Sequence, residues 1–271
     1  MQSANPDLAK LKSAMKALWT AGDFSQIANF TATEAENFVE RIRIPAGSKV
    51  LDVACGSGNT AIPAAKAGGE VIGVDIAPNS LEKARARAAR EDVRVDFREG
   101  DAEELQFPDA SFDVVLTMFG AMFAPRPEKV AAELLRVCKP GGIVAMANWT
   151  PQGFVGKSFQ LTAKHVPAPP IPPPVLWGDE AVVRQRLGSG TKQVDCVRQQ
   201  VHFLYPFTPR ETVNFFRLYF GPTQMAFARL DEAGQQALAS DMEALWAEHN
   251  TANDGTTSVM GEYLDVRAVR A

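Results

Sequence analysis

Val50-Leu51-Asp52-Val53-Ala54-Cys55-Gly56-Ser57-Gly58-Asn59-Thr60 is the stretch on which the reading of the fold turns. Val50–Ala54 reads as a strand that runs directly into Gly56-Ser57-Gly58, and a helix opens at about Asn59. Glycines at such a turn let the backbone reverse sharply and let a ligand come close to the main chain. With Ala61, the spacing satisfies G-x-G-x-x-G/A, the dinucleotide fingerprint; by itself it is equally the spacing of a plain tight turn.

Outward from this turn, short apolar strands alternate with helices. The other strand candidates are Val71–Asp75, Val93–Arg98, Phe112–Met118 and Ile143–Trp149. Asn79 and Glu82 have the spacing of a capping box, and Leu81, Ala84 and Ala88 give the helix they start an inward face. Val130, Leu134 and Val137 form a second stripe, which ends at Lys139-Pro140-Gly141-Gly142, where proline cannot continue a helix and glycine can turn out of it. Alternation of this kind implies a parallel sheet covered on both faces. Before it, Leu8, Leu11, Met15 and Leu18 predict a helix over 6–21, and a second helical stretch spans roughly 31–43.

Beyond Trp149 the pattern changes. Residues 150–192 read as long, irregular and proline-rich, and the tract 166–174 is expected to form a stiff strap over the substrate side of the sheet. A strand-like run, Val194–Tyr205, follows. Thr208-Pro209-Arg210-Glu211 then combines an N-cap, a proline at the first helical position and a capping-box acid. The helix it starts carries Phe215, Phe216, Tyr219 and Phe220. An amphipathic helix over about 231–249 and a final strand, Ser258–Val269, complete the chain.

Composition bounds the function. The 271 residues are 46% apolar and 22% charged, as in an ordinary globular protein, and no stretch is apolar enough for a membrane span or a signal core. A cytoplasmic protein of one large α/β unit is expected. Cys55, Cys138 and Cys196 are scattered, so neither a disulfide framework nor a metal site is indicated. A net charge of −4 argues against nucleic acid as a partner, and Arg85, Arg87 and Arg90 read as the solvated face of a helix.

The acids carry the chemistry. Asp75 ends the second strand, where a carboxylate can accept from both hydroxyls of a ribose, and Asp101 follows the third. Asp52 lies inside the first strand, and a buried acid there must be paired or hydrogen-bonded. It can accept from the N–H groups of the glycine loop, and it can face a cationic ligand. A dinucleotide would bring a pyrophosphate to that place, which the acid would repel. S-adenosylmethionine brings an ammonium and a sulfonium and has no phosphate.

The ordered runs V-L-D-V-A-C-G-S-G, V-I-G-V-D-I, G-D-A-E-E-L-Q-F-P-D-A-S-F-D-V-V and L-L-R-V-C-K-P-G-G resemble the class I S-adenosylmethionine-dependent methyltransferases. Within them the chain is similar to the ubiquinone/menaquinone-biosynthesis-like (type 11) branch, over about residues 45–150. The resemblance implies an α/β, Rossmann-like seven-stranded sheet, mostly parallel, of order 3-2-1-4-5-7-6. Its last strand would be antiparallel, helices would cover both faces, and a helical cap would be added. The chain would then be a single domain over 1–271, with its core at 45–150 and an N-terminal helical lid at 1–44. Cap and substrate-side insertions would occupy about 150–192 and 206–250.

The resemblance also implies roles. Ala54, Gly56 and Gly58 would meet the amino-acid part of S-adenosyl-L-methionine, with Asp52 supporting the loop. Asp75 would bind the ribose, Ile76 would pack on the adenine, and Asp101 and the Ala102 N–H would bond its ring edge. Thr117 and Met118 would lie below the methionine moiety, and Trp19, with Phe24 and Phe30, would belong to the lid. Phe119, Met122, Phe123, Phe216 and Tyr219 are candidates for an apolar acceptor pocket, although aromatic residues at helical spacing also form ordinary core.

Methyl transfer needs positioning more than acid–base chemistry, so the family implies no fixed catalytic residue. His165, beside the proline tract, is a candidate base; His202 and His249 read as structural, and Cys55 as a small apolar residue. The expected partner is a small-molecule acceptor, with neither membrane nor nucleic acid, in a monomer or homodimer. A donor-binding regulatory protein without transfer activity and an NAD(P)-dependent oxidoreductase are the alternative readings.

Overall fold

The computed structural model describes residues 8–271. The helices are α1 (Leu8–Thr20), α2 (Phe24–Ala28), α3 (Ala32–Ile42), α4 (Ala61–Lys66), α5 (Pro78–Arg90), α6 (Pro127–Val137), α7 (Phe154–His165), α8 (Glu180–Leu187), α9 (Pro209–Tyr219), α10 (Gly221–Ala228) and α11 (Glu232–His249). The strands are β1 (Lys49–Val53), β2 (Glu70–Asp75), β3 (Asp96–Glu99), β4 (Phe112–Met118), β5 (Cys138–Trp149), β6 (Thr191–Tyr205) and β7 (Thr257–Arg270). They form one sheet of order β3-β2-β1-β4-β5-β7-β6, with β7 antiparallel to both of its neighbours. This is the Rossmann-like arrangement expected from the sequence, with helices on both faces. None of the helices among the described residues is long and apolar enough to cross a membrane.

Apolar strands form where both faces are covered. Val50, Leu51, Val53, Val115, Leu116, Val144 and Met146 are fully enclosed or nearly so. Against them α3 lays Phe38, Val39 and Ile42, and α6 lays Val130, Leu134 and Val137. Because β1, β2, β3 and β4 run parallel, their carboxyl ends meet along one edge, the position where open α/β sheets bind ligands.

Several expectations are corrected. The first helix starts its described part at Leu8, and positions 6 and 7 lie outside the described residues. Its expected inward face is only half-buried. Pro78 opens α5, which has no side-chain cap, so Asn79 and Glu82 form no capping box. The Asn79 amide donates instead to the carbonyl of Thr20 at 3.2 Å. β3 is shorter than Val93–Arg98, and β5 begins at Cys138, so Lys139-Pro140-Gly141-Gly142 is an irregularity within a strand. Residues 150–192 are not irregular throughout, because α7 and α8 lie within them. The proline tract does not cover the site: Val166 packs with Ala226, Phe227 and Leu238, while Val175 and Trp177 enter the main core. The intervening prolines simply link the two.

The Thr208–Glu211 capping box is present as expected. The helix it begins stops at Tyr219, however, and a separate α10 follows from Gly221. Gly221 makes this junction close. A Cβ there would stand 2.1 Å from the Leu18 carbonyl oxygen, and one on Gly22 would stand 2.3 Å from the Tyr219 carbonyl oxygen. The end of α1 therefore touches the α9–α10 corner backbone to backbone.

Candidate active site

Beyond Val53 the chain leaves the sheet through three left-handed residues, Ala54 (φ +59°), Gly56 (+52°) and Gly58 (+84°). Left-handed geometry strains alanine and suits glycine, so Ala54 stores strain at the site. Asp75, at the end of β2, holds the turn: its Oδ2 accepts the Gly56 N–H at 2.8 Å and its Oδ1 accepts the Ala77 N–H at 2.8 Å. Burial raises its pKa, and the bonds from the Ala77 and Gly56 N–H groups oppose that shift.

The Gly56 N–H therefore belongs to Asp75, not to Asp52 as the sequence suggested. Asp52 is fully buried; its Oδ2 accepts the Thr60 hydroxyl at 2.6 Å, and the Ala61 N–H also bonds to it. Its Oδ1 has no partner. Burial, with the nearby Asp75 charge, pushes the Asp52 carboxyl up to about 7, against the Thr60 and Ala61 bonds. Cys55 is buried with its sulfur against Gly73, and the same loss of solvent raises its thiol well above the usual range. An unreactive thiol follows.

After β3, Asp101 is fixed on both oxygens. Oδ1 accepts the Glu103 N–H at 2.8 Å, and Oδ2 accepts the Lys12 ammonium at 2.5 Å. Lys12 also lies 3.1 Å from Glu103 Oε2, and Glu103 in turn accepts the Arg126 N–H at 2.6 Å and its Nε at 2.8 Å. This network was not anticipated. Lys12 and Asp101 are 89 residues apart, so no local pattern could pair them.

The other end of the cavity is aromatic. Trp19 meets Phe123 at 4.9 Å and Phe24 at 6.0 Å between ring centroids. Phe119 is left-handed (φ +56°) and lies flat on Trp149, with centroids 3.6 Å apart and planes 6° apart. The Tyr263 ring stands edge-on to Phe119 at 5.3 Å. Next to it, a Cβ on Gly120 would stand 2.6 Å from the Ala54 carbonyl oxygen, so the β1 and β4 turns touch at this point.

One cavity gathers most of the residues singled out in the sequence. Ala54, Gly56, Asp75, Ile76, Asp101, Ala102 and Met118 line it, as do Trp19, Phe24, Phe119 and Phe123. Asp52 and Gly58 stand behind the wall. Thr117 is buried and accepts the Ala121 N–H at 3.2 Å, and Met122 is buried in the core. Phe30 packs on Tyr205 at 4.3 Å, away from the cavity. Phe216 and Tyr219 do not line it either. Their rings belong to the aromatic packing of the cap, 5.5 Å from Trp246 and 4.9 Å from Phe215 respectively.

His165 is also elsewhere, with its Nε2 on Asp241 at 2.8 Å at the end of α7. It has no access to the site as a base. His202 bonds Ser258 at 2.8 Å, and His249 bonds the Leu245 carbonyl at 3.0 Å. Lys12, Met15, Asn59 and Ser80 line the cavity without having been foreseen.

The residues present suit S-adenosylmethionine. The absent Cβ of Gly56 leaves open space, Asp52 keeps a buried oxygen without a partner, and two acids and an apolar chamber share one cavity. Fold and site together define a Rossmann-like methyltransferase. Known proteins agree: the methyltransferase domain family matches residues 51–146. The uncharacterized protein Rv1405c of Mycobacterium tuberculosis is 34% identical over 248 residues, 90% of each chain. The demethylmenaquinone methyltransferase of Clavibacter sepedonicus is 38% identical over 123 residues, 45% of this chain and 50% of that one.

Two solved structures share the fold. The YcgJ protein from Bacillus subtilis has a TM-score of 0.56 at 18% identity, covering 88% of this chain and 98% of its own. Phosphoethanolamine N-methyltransferase 2 of Haemonchus contortus, in complex with S-adenosyl-L-methionine, has a TM-score of 0.56 at 21% identity, covering 88% and 52%. The chain belongs to the class I methyltransferases, with its methyltransferase domain at residues 51–146.

Proposed function

We propose that the chain transfers the methyl group of S-adenosylmethionine to a small apolar acceptor, with an aromatic ring as the favoured frame. The observation that carries this reading is the division of one cavity into an acidic, glycine-lined end and an aromatic end. At the first end, Asp75 receives the ribose hydroxyls, Ile76 packs on the adenine, and Asp101 with the Ala102 N–H meets its ring edge. Ala54 and Gly56 flank the amino-acid part, Gly58 shapes the turn, and Asp52 supplies negative charge towards the ammonium. Met118 and Thr117 support the methionine moiety from β4. At the second end, Phe119 and Phe123, with Trp19, Phe24 and Met15, enclose the acceptor.

The cofactor supplies an electrophilic methyl on a neutral leaving group, so a new bond to the acceptor forms as the carbon–sulfur bond breaks. The protein's part is to align the acceptor's nucleophile and keep water out. Among the described residues of the cavity wall, the ionisable side chains are Lys12, Cys55, Asp75 and Asp101. Lys12, Asp75 and Asp101 are engaged as described above, and Cys55 is buried. The reading therefore has the acceptor bring a nucleophile that needs no protein base, a thiolate or an activated carbon.

Calorimetric titration with S-adenosylmethionine, S-adenosylhomocysteine and NAD tests the donor end. An acceptor panel followed by S-adenosylhomocysteine release tests the other. Adenosyl-ligand binding and methylation of thiols or of the ring carbons of quinol-like acceptors are expected. Turnover confined to small, highly polar compounds would overturn the acceptor reading, and NAD binding in place of the adenosyl ligands would overturn the donor reading.

A further inference from the structure

Helix α1 contributes Lys12, Met15 and Trp19, spaced i, i+3 and i+7, to the cavity wall, yet none of its residues is buried. A helix that buries so little must be held by specific contacts. Its carboxyl end has them in the Asn79 amide, the Trp19 ring and the close approach of Leu18 to Gly221. Towards the amino end the contacts are ionic. Lys16 pairs with Glu99, but both side chains are about half exposed, and such a pair contributes little.

Lys12 is different. Its ammonium is seated between Asp101 and Glu103, which are already fixed by a backbone N–H and by Arg126, and the Glu103 side chain is fully enclosed. A cation meeting preorganised carboxylates gives up little freedom on their side, so more of its Coulomb energy is kept.

We propose that Lys12 is a positioning residue of the donor site: it clamps α1 over the adenine end and aims the Asp101 carboxylate at the adenine amino group. The proposal rests on the donor reading given above. A carboxylate oxygen has two acceptor sites, so Asp101 can hold the lysine and the adenine together. Entry and exit both require the Lys12 contacts to open, and exit must in addition break the Asp101–adenine bond that Lys12 aims.

Stopped-flow and calorimetric binding of S-adenosylhomocysteine test this, at low and high salt, on the wild type, Lys12→Met, Lys12→Arg and Lys16→Met. Lys12→Met is expected to raise the dissociation rate about five- to tenfold and the association rate by less, so that affinity falls. Lys12→Arg restores most of the loss, and Lys16→Met leaves both rates unchanged. Wild-type affinity falls with added salt, and that of Lys12→Met does not. Each variant is expected to unfold in one cooperative transition, with Lys12→Met at most a few degrees below the wild type, which separates the clamp from a folding defect.

A Lys12→Met dissociation rate equal to the wild type, tighter binding, or an equal effect of Lys16→Met would overturn the clamp alone. Failure of the wild type to bind any adenosyl ligand would overturn the donor reading, and the clamp with it.

Discussion

Replacing Asp52 by asparagine changes one charge in a place water does not reach, and its effect can be worked out. The folded carboxyl titrates at about 7, against an ordinary 3.8. A carboxyl raised by folding holds its proton more tightly in the native state, so its contribution is favourable below the unfolded value. That contribution is lost as pH rises from about 4 to about 7, and the full cost is present above. A shift of about three units corresponds to about 4 kcal/mol, and relaxation around the charge brings the expected cost to about 2–4 kcal/mol at neutral pH.

Asparagine has the same shape and no charge. Its amide can serve the Thr60 hydroxyl, and its NH₂ then faces the position where Oδ1 has no partner, a pH-independent cost of about 1 kcal/mol. Urea unfolding of both proteins between about pH 4 and about pH 8 is the assay. The wild type is expected to lose stability relative to Asp52→Asn across that interval and then run parallel to it. The donor's ammonium would favour the ionised form, so its binding to the wild type should release a proton near pH 7, and binding to the variant should not. A stability difference that stays constant from pH 4 to pH 8 would refute the reasoning.

Asp75→Ala leaves the Gly56 and Ala77 N–H groups without their acceptor; a loss of about 2–4 kcal/mol of stability and at least about tenfold in donor affinity is expected, read by urea unfolding and calorimetry. Phe119→Ala removes the ring stacked on Trp149, which should cost about 2–4 kcal/mol in unfolding and lower acceptor turnover more than donor binding. His165→Ala breaks only the Asp241 contact outside the cavity, so steady-state kcat should stay within about twofold of the wild type.

The acid-and-glycine end of the cavity was legible because its demands are local. A turn of glycines, an acid at a strand end and period-specific apolar runs each carry their meaning within a few residues. The cap was not legible for the opposite reason. Phe154 finds Trp246 at 4.4 Å, and α7 exists through partners on a helix far along the chain. Phe216 and Tyr219 looked like pocket residues because aromatic side chains at helical spacing do not reveal which surface they cover. Asp52 was correctly read as a buried acid needing donors, but its donors come from the start of α4 after the chain has turned over the strand. Nothing local distinguishes Glu103 from Glu104 in Ala102-Glu103-Glu104. Burial and its bonds to Arg126 and Lys12 set it apart, and neither is written in its neighbours.

The place of β7 has a consequence for biosynthesis. It stands between β5 and β6 and pairs with both, so β5 has an open edge and β6 no neighbour until residues 257–270 have been made. β1, β2 and β3, which carry the glycine turn and the acids, and β4 beside them can assemble as they emerge from the ribosome. The aromatic chamber cannot, because Tyr263, which braces Phe119, arrives on that last-inserted strand. A chain halted before residue 257 would thus keep the acid-and-glycine end of the cavity and lack the Tyr263 ring that supports its aromatic end. Its bare β5 edge would meanwhile be free to pair with another molecule.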